Sequence, residues 1–111
     1  MPPELEGLLA QQDEAIERCR QSGVQAALSD AAYRSAKACE VLRLKASGMP
    51  ATLCDLVCFA EKGVADARLQ RDIAEANYAA DKEVVQNNKR RIDVVREDIA
   101  RGWQRAGEEW S

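Results

Sequence analysis

From Val64 to Arg101 the chain runs for 38 residues without Gly or Pro, and apolar residues return every three to four positions. Leu69, Ile73, Ala76, Ala80, Val84, Asn88, Ile92, Val95, Ile99 and Trp103 form one such line. Tyr78, Val85, Ile92 and Ile99 form a second, spaced by sevens. The first spacing is that of an amphipathic helix, and sustained heptads favour coiled-coil packing. A long helix over about 64–103 is therefore expected, followed by a fraying tail at 104–111. At about 1.5 Å per residue, its uninterrupted part spans roughly 57 Å.

Upstream, Pro2 and Pro3 suit a first helical turn, and Glu4 and Glu6 suit the positive end of its dipole. Leu5, Leu8, Leu9, Ile16 and Cys19 mark one face, interrupted by Gln12, with Glu14 and Arg18 paired at i,i+4. Gly23 reads as a stop, which places a first helix at about 4–21. Ser22-Gly-Val-Gln25, whose Ser22 and Gln25 have capping-box spacing, or Ser29-Asp30 could start a second helix that runs to about Ala46. The alternative is one helical arm over 4–46, kinked at Gly23, because one glycine costs only about 1 kcal/mol. Leu28, Ala32, Cys39, Leu42 and Ala46 share one side, widened by Val41 and Leu44. Ser47-Gly48-Met49-Pro50 is the firmest break: glycine supplies a left-handed cap and proline prevents continuation. Thr52 then caps a short helix over 52–62, with Asp55 three residues on. Leu53, Leu56, Val57 and Phe59 make this the most apolar segment, expected to fold back as a lid. Gly63 closes it.

These elements predict an all-α fold in one domain: a helical hairpin with one long C-terminal helix and a short lid helix at the connection. The arm from 24 to 46 is about half as long as the long helix. The C-terminal half of that helix then needs helix one or another chain as partner, which argues for an oligomeric bundle. Its expected interface is Val84, Asn88, Ile92, Val95, Ile99 and Trp103. One buried Asn in such a seam can fix register.

Composition narrows the function more than it defines it. Aromatics are 5%, so the core must be aliphatic and alanine-rich. The net charge is −3 with both signs interspersed, which disfavours a general nucleic-acid binder. There is no apolar run near the ~20 residues of a membrane span, and the acidic start lacks a signal peptide's basic end. A soluble cytosolic protein with no membrane partner is the expectation. There is no histidine. That removes the usual general base near neutrality, the commonest metal ligand and any Ser-His or Cys-His pair. No Gly-rich phosphate loop is present. Catalysis and a bound cofactor are not expected.

Four groups deserve weighing as sites. Cys54 and Cys58 lie four apart, and with Cys19 and Cys39 they have the composition of a thiolate zinc site. The spacing is not that of a zinc knuckle, and small core residues are the simpler reading. Asn87-Asn88-Lys89-Arg90-Arg91 is a basic step that suits either a solvated face or a nucleic-acid contact. Tyr33, Arg34, Lys37, Arg43 and Lys45 make the arm locally basic, and Arg68 and Arg71 face them across the connection. An ion-pair network with Asp72 and Glu75 is the simpler reading. The sharper one is an anion pocket of Tyr33, Arg34, Lys37, Lys45, Arg68 and Arg71, since guanidinium forks grip phosphates and a tyrosine ring stacks on a base. Trp103 and Trp110 suit either an interface or an end-cap.

Tyr33-Arg-Ser-Ala-Lys, Leu42-Arg-Leu-Lys-Ala-Ser-Gly-Met-Pro-Ala-Thr52, Val64-Ala-Asp-Ala-Arg-Leu-Gln-Arg-Asp-Ile-Ala-Glu-Ala-Asn-Tyr78 and Ile99-Ala-Arg-Gly-Trp103 together resemble a family of short all-helical proteins of temperate phages and prophages. The resemblance covers roughly 30–103, and the Leu53-Cys-Asp-Leu-Val-Cys-Phe59 segment departs from it. It implies a small accessory protein in the bacterial host cytoplasm and brings no catalytic residues. The leading expectation is a non-catalytic, self-associating binding protein that neutralises or modulates a host factor, with a defence system as the expected target. The alternatives are an oligomer that sequesters a nucleotide-type signal, and an accessory to phage DNA recombination or replication using Lys89, Arg90 and Arg91.

Overall fold

The computed structural model describes residues 2–110, and side-chain burial through Glu108. It is all-α: helix α1 spans Pro3–Ala46, α2 spans Ala51–Val57, a 3₁₀ turn spans Cys58–Ala60 and α3 spans Lys62–Trp110. No strand occurs among the described residues.

The arm is one helix, not two. Gly23 lies inside α1, so neither the stop there nor the Ser22–Gln25 capping box forms. Its role is steric. A Cβ at position 23 would stand 3.1 Å from Cε1 and 3.3 Å from Cζ of Tyr78, so glycine makes room for that ring. The acidic residues Glu4 and Glu6 open α1, and Arg43 and Lys45 close it, as its dipole favours.

The break at Ser47–Pro50 forms as its residues require. Gly48 adopts φ 95°. The Met49 amide donates to the Leu44 carbonyl and the Gly48 amide to that of Lys45, the paired bonds of a Schellman cap. Met49 packs against the cluster of Leu44, Cys54 and Cys58, in keeping with the apolar contact that usually accompanies this cap.

Two capping expectations are corrected. Pro50, not Thr52, precedes the first turn of α2, and no side chain caps it. Gly63 does not end the connection but lies in the first turn of α3. Glu61 is the cap there: its carboxylate accepts from the Val64 amide at 2.8 Å. A Cβ at Gly63 would come within 2.9 Å of that carboxylate, so glycine leaves it space. At its other end α3 runs on through the expected tail to Trp110.

The contacts of the chain fall into two compact units. One joins residues up to Arg20 with those from Ala80 onward. Its core is Leu5, Leu8 and Ile92, with Leu9, Val95 and Ile99 packed against them. Gln12 donates to the Val85 carbonyl at 3.0 Å, so rising numbers on α1 meet falling numbers on α3. The other unit is Gln21–Ala79. It centres on Leu44, Cys54 and Cys58, flanked by Val41, Met49 and Phe59, with Val64 fully buried nearby in the sequence.

The buried line on α3 follows the heptad throughout, and the first line shares it only at Asn88, Ile92, Val95 and Ile99. From Val64 to Gly102 every residue that is not exposed falls at alternating spacings of three and four: 64, 67, 71, 74, 78, 81, 85, 88, 92, 95, 99 and 102. Leu69, Ile73, Val84 and Trp103 point to solvent. On α1 the inward line is Leu5, Leu8, Gln12, Ala15, Cys19, Ser22, Ala26, Ser29, Tyr33, Ala36 and Glu40. Ile16, Leu28, Cys39 and Leu42 lie outside. Small side chains face inward, and many of the large aliphatic ones face outward.

Candidate functional site

The anion-pocket residues divide by helical position. Tyr33 and Lys37 are one turn apart on α1, and Arg68 and Arg71 one turn apart on α3. All four lie in the Gln21–Ala79 unit. Tyr33 is buried, and the Arg71 guanidinium stands 4.3 Å from its ring centroid. Arg71 is also bonded to Asp72 at 2.9 Å. That bond raises its pKa above the ordinary arginine value, opposed by partial burial and helped by the charges of Asp72 and Glu75.

A second stack stands beside it, one turn along each helix. Lys37 Nζ lies 5.1 Å and the Arg68 guanidinium 4.8 Å from the centroid of the Phe59 ring. Neither cation has a carboxylate within salt-bridge distance among the described residues. Two cations on one ring repel each other, and the ring quadrupole returns only part of that cost. Phe59 carries no charge signal in the sequence and was expected only as lid packing. Its place in the 3₁₀ turn brings it between the two helices.

Arg34 and Lys45 do not join this group. Arg34 is exposed and held by Asp30 one turn back at 2.8 Å. Lys45 is exposed in the last turn of α1. Arg43 instead closes on buried Glu40 with bonds of 2.6 and 2.9 Å. Arg43 holds the Glu40 carboxyl below its ordinary range, mainly through these hydrogen bonds, against the opposing effect of burial.

The interface expected on α3 is largely used within the chain. Asn88 and Ile92 are buried, and Val95 and Ile99 pack on the Leu5–Leu8–Ile92 core. These four do not form a free surface between copies, because the long first helix reaches them. Val84 and Trp103 are exposed, Trp103 at 79%. The Trp110 side chain lies outside the described residues. Lys89, Arg90 and Arg91 are exposed, and Arg90 donates to Asn87 one turn back.

The connection is inverted relative to expectation. Cys54 and Cys58 are fully buried, whereas Leu53, Leu56 and Val57 are 47%, 73% and 39% exposed. The Cys54 thiol donates to the Met49 carbonyl and the Cys58 thiol to that of Asp55. These two cysteines are small core residues, and Cys39 is exposed. No group of three metal-ligating side chains occurs among the described residues. A hollow of about 370 Å³ is lined by Arg101, Gln104, Arg105 and Glu108. All four lie on one side of α3, so it is an open groove of one helix. No helix among the described residues is long and apolar enough to cross a membrane. Comparison with protein-family models, curated proteins and solved structures gave no match.

Proposed function

We propose that this chain is a non-catalytic binding protein that neutralises or modulates a protein of a bacterial host through its helical surface. The observation that carries this reading is the outward face of α2. Leu53, Leu56 and Val57 sit at i, i+3 and i+4, so one short helix presents three large aliphatic side chains to solvent on one face. Helix α2 is held from beneath by the cysteine core, which lets it act as a fixed apolar knob. Trp103, exposed on α3, is a second anchor of the residue type that dominates interface energetics. The resemblance to temperate-phage proteins supports a cytoplasmic target in a bacterial host, with host defence as the context.

The test compares the wild-type chain with Leu53→Glu/Leu56→Glu in capture from host lysate. Both positions are exposed, so helical content should be unchanged. A host protein retained by the wild type and lost with the double variant supports the reading. Identical captured sets reject it.

The Lys37–Phe59–Arg68 stack favours a second reading, in which the chain sequesters a nucleotide-type anion. A phosphate placed between these cations would relieve their repulsion, and Arg71 beside Tyr33 extends the site. A phosphate-bearing ligand at a hundredfold excess over its Kd should stabilise the fold by about 2.7 kcal/mol. No thermal shift across a broad nucleotide panel, or the same shift in Lys37→Ala/Arg68→Ala, rejects it.

A further inference from the structure

The outer face of α1 between residues 28 and 42 has a mirror order. Leu28, Ala31, Ala32, Ser35, Ala38, Cys39 and Leu42 are all exposed and follow one another at helical spacing. Read outward from Ser35, each side gives two small residues and then a leucine. Charged residues make up 32% of the chain, yet these seven exposed positions hold none. Leu28 and Leu42 are 61% and 66% exposed. A solvated helix face concentrates its charges there, and this one excludes them.

We infer that this face is covered by a second copy of the chain, its α1 antiparallel to the first, with a two-fold axis at Ser35. An isologous contact requires a self-complementary surface. Antiparallel pairing about Ser35 sets Leu28 against the partner's Leu42, Ala31 against the partner's Cys39, and Ala32 against the partner's Ala38. A parallel pair would match any sequence with itself, so the mirror order serves only an antiparallel pair. Opposed helix dipoles favour the same direction. The small central residues let the two helix axes approach to about 8 Å, the short end of the usual range. Arg34 flanks the axis but is already held by Asp30, so the two copies bring no uncompensated charge together.

The inference does not depend on the host-target reading, because it uses a different helix face.

The register is tested by charge exchange and by cross-linking on the full chain. Leu28→Glu and Leu42→Lys should each convert a dimer to a monomer by sedimentation, with helical content retained. The double variant L28E/L42K should restore the dimer, because each Glu then faces the partner's Lys. Ser35→Cys in a Cys39→Ala background should form a disulfide dimer on mild oxidation. The wild type should not link through Cys39, since the two thiols would lie eight residues apart along the axis, about 12 Å. The inference is overturned by a monomeric wild type at tens of micromolar, by a dimer that survives L28E and L42K singly, or by failure of the double variant to recover. A Cys39–Cys39 disulfide in the wild type overturns the antiparallel register.

Discussion

Gly23 gives a test in which the sign of an effect should reverse with its neighbour. In isolation Gly23→Ala should stabilise α1, because alanine is about 1 kcal/mol better than glycine inside a helix. In the fold, the new Cβ would stand 3.1 and 3.3 Å from two ring atoms of Tyr78. The ring must then shift by a few tenths of an ångström in a half-buried position, and overpacking of this kind costs about 1–3 kcal/mol. The expected net effect is a loss of about 1 kcal/mol. With Tyr78→Ala already present the obstacle is gone, and Gly23→Ala should gain its full ~1 kcal/mol of helix propensity. The coupling between the two sites is therefore about 2 kcal/mol, well above the error of a double-mutant cycle. Urea unfolding of the four variants, followed by far-UV circular dichroism at one fixed protein concentration, measures it. Equal stabilisation by Gly23→Ala in both backgrounds would refute the packing of Tyr78 on α1 and with it the reason the helix carries glycine there.

Gln12→Leu should stabilise the protein by about 1 kcal/mol, since Gln12 Oε1 is buried without a partner and such an atom costs about 1–3 kcal/mol; a clear loss in urea unfolding would contradict its inward placement. Glu40 has a folded pKa below its unfolded value of about 4.3, so its contribution is present above that pH and is lost as pH falls through the folded pKa. The melting temperature of the wild type should therefore fall more between pH 6 and pH 3 than that of Glu40→Gln, and parallel curves would remove the Glu40–Arg43 pair as the cause. Cys54 and Cys58 are fully buried, so a thiol reagent should modify them only on unfolding; rapid labelling of both in the native protein would reject the cysteine core.

The helical class, the end of α1 and the heptad Tyr78–Val85–Ile92–Ile99 were all legible in the sequence, because each rests on local chemistry. Gly48 and Pro50 act within one turn, and a spacing of seven needs no tertiary knowledge. The facing of the helices was not legible. Residues such as Leu28, Ala32, Cys39, Leu42 and Ala46 do share one side of α1, as their spacing says. They share the outer side. Both helices carry two apolar lines, and periodicity cannot choose between them. The choice follows from close antiparallel approach, which small residues such as Ala15, Ala26, Ser29 and Ala74 permit on the inner line. The same blindness inverted α2, where leucines outrank cysteines in hydropathy but the cysteines fit beneath Leu44.

Of the candidate site, the expectation that a hairpin brings two basic segments to one end named no ring partners, and the stacking of Arg71 on Tyr33 is seen only in the fold. Phe59 was missed because a ring between two cations has no sequence signature: the contact joins three segments that only the fold assembles. The interface expected at Asn88, Ile92, Val95 and Ile99 failed for a different reason. With Gly23 open as either a stop or a kink, helix one and a second chain were both open as partners of this half of the long helix, and in the fold Leu5 and Leu8 reach Ile92.

The central claim is that the outward face of α1 between Leu28 and Leu42 is covered by a second copy of the chain. Native mass measurement of the purified protein at tens of micromolar tests it most directly. The account predicts twice the 12.3 kDa chain mass or an even multiple of it. A single 12.3 kDa species at that concentration would contradict it.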